Sequence, residues 1–106
     1  MPRYLVRATF SDQGAGGLLK EGGTSRRTTI DELISKLGGH MEAFYFAFGE
    51  DDVVIIAELP DNVTAAAVGL NTSASGAVHT TTVVLLTPEE VDEAAKRQVG
   101  YRPPGG

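Results

Sequence analysis

Residues 39–61 read GHMEAFYFAFGEDDVVIIAELPD, and the folding of this stretch decides the architecture. Its first half alternates aromatic with small residues, breaks at a glycine and three acids, and resumes as an almost unbroken apolar run. A strand sends successive side chains to opposite faces. Strict alternation therefore puts His40, Glu42, Phe44, Phe46 and Phe48 on one face, with Met41, Ala43, Tyr45 and Ala47 on the other. Gly49 permits a turn, and Glu50, Asp51 and Asp52 hold it in water, where their charge opposes edge pairing. Beyond the turn, Val53, Ile55, Ala57 and Leu59 alternate with Val54, Ile56 and Glu58, so both faces are apolar and both call for cover. The stretch reads as the central hairpin of a sheet covered on two sides.

Working outward, PRYLVRATF (2–10) sets Tyr4, Val6, Ala8 and Phe10 against Arg3, Leu5, Arg7 and Thr9, the pattern of a strand with one face in a core. SDQGAGGLLKEGG (11–23) carries too many glycines for a regular helix and reads as a loop or a single weak helical turn. In TSRRTTIDELISKLGG, Ile30, Leu33, Ile34 and Leu37 form one apolar helical stripe that stops at Gly38. Thr29 and Glu32 have capping-box spacing, but a start at Thr24 or Ser25, which takes in the arginines, is preferred. Pro60 with Asp61 or Asn62 opens a second helix of small residues running to Gly76. AVHTTTVVLL (77–86) is a β-branched strand. Thr87-Pro88-Glu89-Glu90 supplies a cap, a proline at the first helical position and an acid at the third, so a last helix runs to about Val99.

The order is strand, helix, strand, strand, helix, strand and an extra C-terminal helix. This predicts an α+β, ferredoxin-like βαββαβ antiparallel sheet with helices on one face. Leu5, Val84 and Leu86 make the second face apolar as well, and an exposed apolar face of that kind marks association, here a homodimer packed sheet to sheet. Residues 1–100 form one domain and 101–106 a tail. In the tail, Tyr101 and Arg102 precede two prolines, a stiff arm expected to dock on a neighbouring subunit.

Composition narrows the functional classes. The 106 residues hold 14 acids against 9 Lys and Arg, a net charge of −5, which opposes binding to nucleic acid. With no cysteine there is no disulfide, thiol nucleophile or Cys-ligated metal. No stretch approaches the roughly 20 apolar residues of a membrane span, nor is there a secretory signal core, so the expected location is cytoplasmic.

The whole layout resembles the GYD domain family, small bacterial proteins of the dimeric α+β barrel type. The likeness rests on FSDQG after strand 1, GGTSRR leading into the helix, LGG, FYFAFGEDDVVIIAELPDN, SASGAV before strand 4, and LLTPEEVDEAAK. Gly49 and Asp52 stand where the family's glycine and aspartate fall, while Asp51 takes the tyrosine's place. The resemblance implies this fold and no single activity, since related barrels serve as cofactor-free oxygenases, lyases and binding modules.

His79 and Tyr45 are the candidate catalytic residues, one able to move a proton and the other to donate to an oxyanion. Arg7, Glu58 and Asp52 are the candidate ligand-binding residues, with Arg7 suited to a carboxylate or phenolate. His40 and Glu42 share a face two residues apart, but two ligands do not make a metal site, and none is expected. GAGGLLKEGG completes neither phosphate-binding pattern and is read as a connector. Pro2 would offer a basic amine only with Met1 removed, and it is set aside. The expected function is binding of a small, partly apolar ligand, without cofactor, in a cavity at the sheet face of a homodimer or higher homo-oligomer. The alternatives are a cofactor-independent enzyme (monooxygenase, isomerase or lyase type) acting on a small aromatic or carbonyl compound, and a purely structural oligomer.

Overall fold

Eight elements are defined in the computed structural model, which describes residues 1–106: β1 (Arg3–Phe10), α1 (Asp12–Glu21), α2 (Gly23–Lys36), β2 (His40–Phe46), β3 (Val53–Glu58), α3 (Asn62–Ala74), β4 (Val78–Leu85) and α4 (Pro88–Lys96). The four strands form one antiparallel sheet in the order β2-β3-β1-β4. This is the ferredoxin-like arrangement expected, with one correction. The hairpin of residues 39–61 is not central: β2 is an edge strand, and the middle of the sheet is β3 beside β1.

Register follows from the alternation in β1. Tyr4 pairs with Ala57 and Val84, Val6 with Ile55 and Thr82, and Ala8 with Val53 and Thr80, so these share a face. Ile34 of α2 and Ala65 of α3 join Tyr4, Ala8, Val53, Ile55, Ala57 and Leu59 in a single core, which places both helices on that side. Tyr4 is buried to 1 % exposure, and its hydroxyl donates to Asn62 Oδ1 at 2.7 Å, which satisfies the one polar atom that the ring carries into the core.

Strict alternation fails in β2. Met41 pairs with Ala57 and Ala43 with Ile56, leaving Glu42 as the extra residue of a bulge. One unpaired residue reverses the parity of everything after it. His40 therefore shares its face with Ala43 and Tyr45, while Phe44 and Phe46 fall on the helix side with Met41, their rings edge to face at 5.3 Å. Val84 is likewise on the helix side, and the outward residues of β4 are His79, Thr81, Val83 and Leu85.

The segment read as a loop or weak turn is a ten-residue helix, α1. Local propensity is overridden by its anchoring. The Ser11 side chain accepts from the Gly14 N–H at 3.2 Å and donates to the Gly76 carbonyl at 2.7 Å, and the Ser11 N–H donates to the Ala77 carbonyl at 3.0 Å. A Cβ on Gly14 would overlap that same Ala77 oxygen, so only glycine permits the approach. The helix ends at Gly22, whose φ of 83° lies in the left-handed region, and α2 begins at once at Gly23. The early start preferred for α2 holds, and Thr29 is internal, donating to the Ser25 carbonyl.

Asp61 caps α3 through the Thr64 N–H at 2.8 Å. Thr87 and Glu90 close a full capping box on α4, with Pro88 at the first position. The last helix stops at Lys96, short of Val99. Every residue from Pro88 to Gly106 is exposed. The radius of gyration is 16.9 Å, against about 13 Å for a compact chain of this length. The difference reflects a body 57 Å long by 32 and 23 Å.

Candidate functional site

The sheet face turned away from α2 and α3 holds none of the chain's fully buried residues, and its residues follow from the register. One row across β2, β3, β1 and β4 is Ala43, Ile56, Leu5 and Val83. The next row toward the β2–β3 turn is Tyr45, Val54, Arg7 and Thr81, followed by Thr9 paired with His79. On the other side of the apolar row lie His40, Glu58, Arg3 and Leu85. An apolar belt thus runs across the sheet between two polar borders, and the exposure of its members rises to 40 % at Val83.

The border away from the turn is an ion cluster. Arg3 Nη2 donates to Glu58 Oε1 at 3.4 Å, and Arg3 Nε lies 3.1 Å from Glu42 Oε2. The second contact is one of charge only, because Nε has no acceptor in hydrogen-bonding direction. Glu42, the bulged residue, lies on the His40 face as alternation has it and reaches Arg3 from there. Glu58, a candidate ligand residue, is therefore committed to Arg3.

The border near the turn differs in kind. Arg7 is exposed and takes part in none of the chain's ion pairs. Its neighbours in the row are Val54 and Thr81, and His79 lies diagonally across the β1–β4 ladder. Diagonal pairs on one face are about 7–8 Å apart between Cα atoms, within reach of two long side chains. Tyr45 is two strands from Arg7, about 10 Å, and three strands across and two residues along from His79, about 16 Å, at the usual strand spacing and rise. The register thus brings Arg7 and His79 together and leaves Tyr45 at the opposite edge of the sheet, 71 % exposed.

Asp52 is engaged in the fold. Its Oδ2 accepts the Phe10 N–H at 2.7 Å, its own N–H donates to the Ala8 carbonyl at 2.8 Å, and its carbonyl accepts the Ala47 N–H at 2.8 Å. The side chain ties the end of β1 to the start of β3. Sequence reading missed this because the partner amide is 42 residues away.

Two hollows open elsewhere. One, of about 420 Å³, lies between α3 and β4 over Tyr4, Ala65, Gly69, Leu70, Thr82 and Val84. The other, of about 310 Å³, is lined by Thr9, Ser11, Ser73, Gly76 and His79 at the end of the β1–β4 ladder. No helix is long and apolar enough to cross a membrane.

The family model described as GYD domain matches residues 4–95, from the first core residue to the last turn of α4. No curated protein matches the chain.

Proposed function

The chain belongs to the GYD domain family, and on that premise we propose that it works as a homodimer or higher homo-oligomer holding a small, partly apolar ligand between facing sheets. The observation that carries this reading is the belt of Ala43, Ile56, Leu5 and Val83, apolar across all four strands and without one fully buried member. A contiguous apolar face gains by association, and the simplest closed arrangement sets the same face against itself. The ligand space lies beside the belt at Arg7, with His79 on one flank and Tyr45 and its partner-subunit equivalent at the edges. Asp52 holds the nearby end of β1 through its hydrogen bond to the Phe10 amide, and Glu58, paired with Arg3, closes the far border of the belt.

The adjacency of Arg7 and His79 favours a second reading. In a cofactor-independent enzyme, His79 would exchange a proton with a small aromatic or carbonyl compound while Arg7 holds the developing oxyanion. In a purely structural oligomer the belt would pack solidly and leave no space.

Sedimentation velocity and native mass spectrometry test the common premise. The wild type is expected to be dimeric or larger at micromolar concentration. Leu5→Glu, which buries an unpaired charge in the belt, is expected to weaken association by at least about a hundredfold while keeping the helical signal. A wild-type monomer would overturn the proposal.

A further inference from the structure

If the sheets face each other as proposed above, the charges of the open face need partners. Arg7 is the one cation on this face that lacks an acid. Glu42 and Glu58 both belong to Arg3, four residues along β1 and therefore about 13 Å away. Asp52 is held by the Phe10 amide. Around Arg7 the register places Thr9, Thr81 and His79, all able to donate a hydrogen bond, and the apolar Leu5 and Val54.

A two-fold interface sets the same surface against itself; with its axis along the strands, like border meets like, and Glu42 and Glu58, two acids on the single Arg3, stay at the border far from the partner's Arg7. Packing the belts together in that orientation would then remove two Arg7 guanidinium groups from water with no carboxylate of either sheet face beside them. A buried charge without a counter-charge is strongly unfavourable. Guanidinium matches carboxylate geometrically, with two parallel N–H donors.

We infer that Arg7 receives the carboxylate of a small apolar acid, an aryl or short alkyl carboxylate, whose hydrocarbon part lies on Leu5, Val54 and Ile56. The threonine hydroxyls and His79 complete the donor set around the carboxylate, and the apolar belt excludes neutral hydrophilic compounds.

The test is calorimetric titration of the full chain with benzoate and hexanoate, with benzamide as the neutral counterpart of benzoate, alongside sedimentation of the same samples. At least one acid is expected to saturate the oligomer, with benzamide at least about tenfold weaker, as loss of a charge-assisted hydrogen-bonded pair requires. Arg7→Gln is expected to weaken the acid by a similar factor without dissociating the oligomer, and Arg7→Lys to recover part of it. An oligomer that takes neither acid, one that takes benzamide as well as benzoate, or one in which Arg7→Gln binds as the wild type does overturns the carboxylate inference and leaves the association intact. If Glu50→Gln with Asp51→Asn loosens the ligand-free oligomer, the partner's turn supplies the counter-charge, and the inference also falls. A monomer in sedimentation instead overturns the reading on which it rests.

Discussion

Replacing Asp52 with alanine separates a structural carboxylate from a ligand-binding one. In the fold, Asp52 Oδ2 accepts the Phe10 N–H at 2.7 Å, between half-buried residues. A hydrogen bond to an ionised group contributes about 1.5–3 kcal/mol, and partial solvent screening argues for the lower part, about 1.5–2 kcal/mol. The backbone bonds of Asp52 to Ala8 and Ala47 survive the change, so the hairpin keeps its register. At about 4–8 °C per kcal/mol for a domain near this size, Asp52→Ala is expected to lower Tm by roughly 6–16 °C. Asp52→Asn keeps a neutral acceptor and is expected to lose about half of that. Asp51→Ala makes a matched control, since the Asp51 carboxylate makes no hydrogen bond or ion pair, and it should stay within about 0.5 kcal/mol of the wild type. Thermal unfolding followed by circular dichroism, at one fixed protein concentration because association shifts Tm, reads all three. An Asp52→Ala variant that melts with the wild type would refute the assignment. If that variant also lost acid binding, Asp52 would return to the ligand site.

Three further outcomes follow from the same structure. Gly14→Ala forces a methyl group onto the Ala77 carbonyl, so it should destabilise by about 1–3 kcal/mol in denaturant titration, with earliest exchange at the amides of α1. Asp61 is held below its ordinary value of 3.8 by the Thr64 amide first and the Thr64 hydroxyl second, and Glu90 below 4.5 by the Thr87 amide and then its side chain. Since both folded values lie below the unfolded ones, the caps contribute fully above about pH 5 and fade as pH falls through the folded values. In an acid titration followed by circular dichroism, Asp61→Asn, which caps without titrating, should remove part of that sensitivity. Phe48, wholly exposed at the β2–β3 turn, should tolerate Phe48→Ser within about 0.5 kcal/mol in the same denaturant assay.

What the sequence discloses here is whatever local chemistry determines. The alternation of Tyr4 to Phe10 fixes both faces of β1, because no bulge intervenes. Thr87, Pro88 and Glu90 mark the start of α4 through bonds that span only three residues. The turn at Gly49 and the cap at Asp61 are readable for the same reason. The misreadings arise where distant residues decide. Within SDQGAGGLLKEGG the Ser11 cap favours a helix and the glycines oppose it, and the balance is tipped only when Ala77 arrives to be touched by Gly14. The bulge at Glu42 arises from pairing with Ala57 and Ile56, and it decides which way Tyr45 points. In Val83 to Leu86, four apolar residues in succession conceal parity, so only the ladder with β1 reveals that Val83 faces outward and Val84 inward. The candidate site was readable in its residue types but not in its grouping: Arg7 and His79 become neighbours only through the β1–β4 pairing, which also separates both from Tyr45.

The position of β1 inside the sheet has a consequence for how the chain is made. Its Arg3 pairs with Glu58 on one side and Leu85 on the other. At ribosomal rates of about 5–20 residues per second, the first strand emerges roughly 3–11 s before β3 has been synthesised, and waits roughly 4–16 s for β4. During that interval its apolar side chains, Tyr4 to Phe10, have no strand to pair with. β1 is thus a segment for a holding chaperone to shield, and a transcript cut anywhere before the codon for Leu85 yields a sheet in which β1 is missing part of a neighbour.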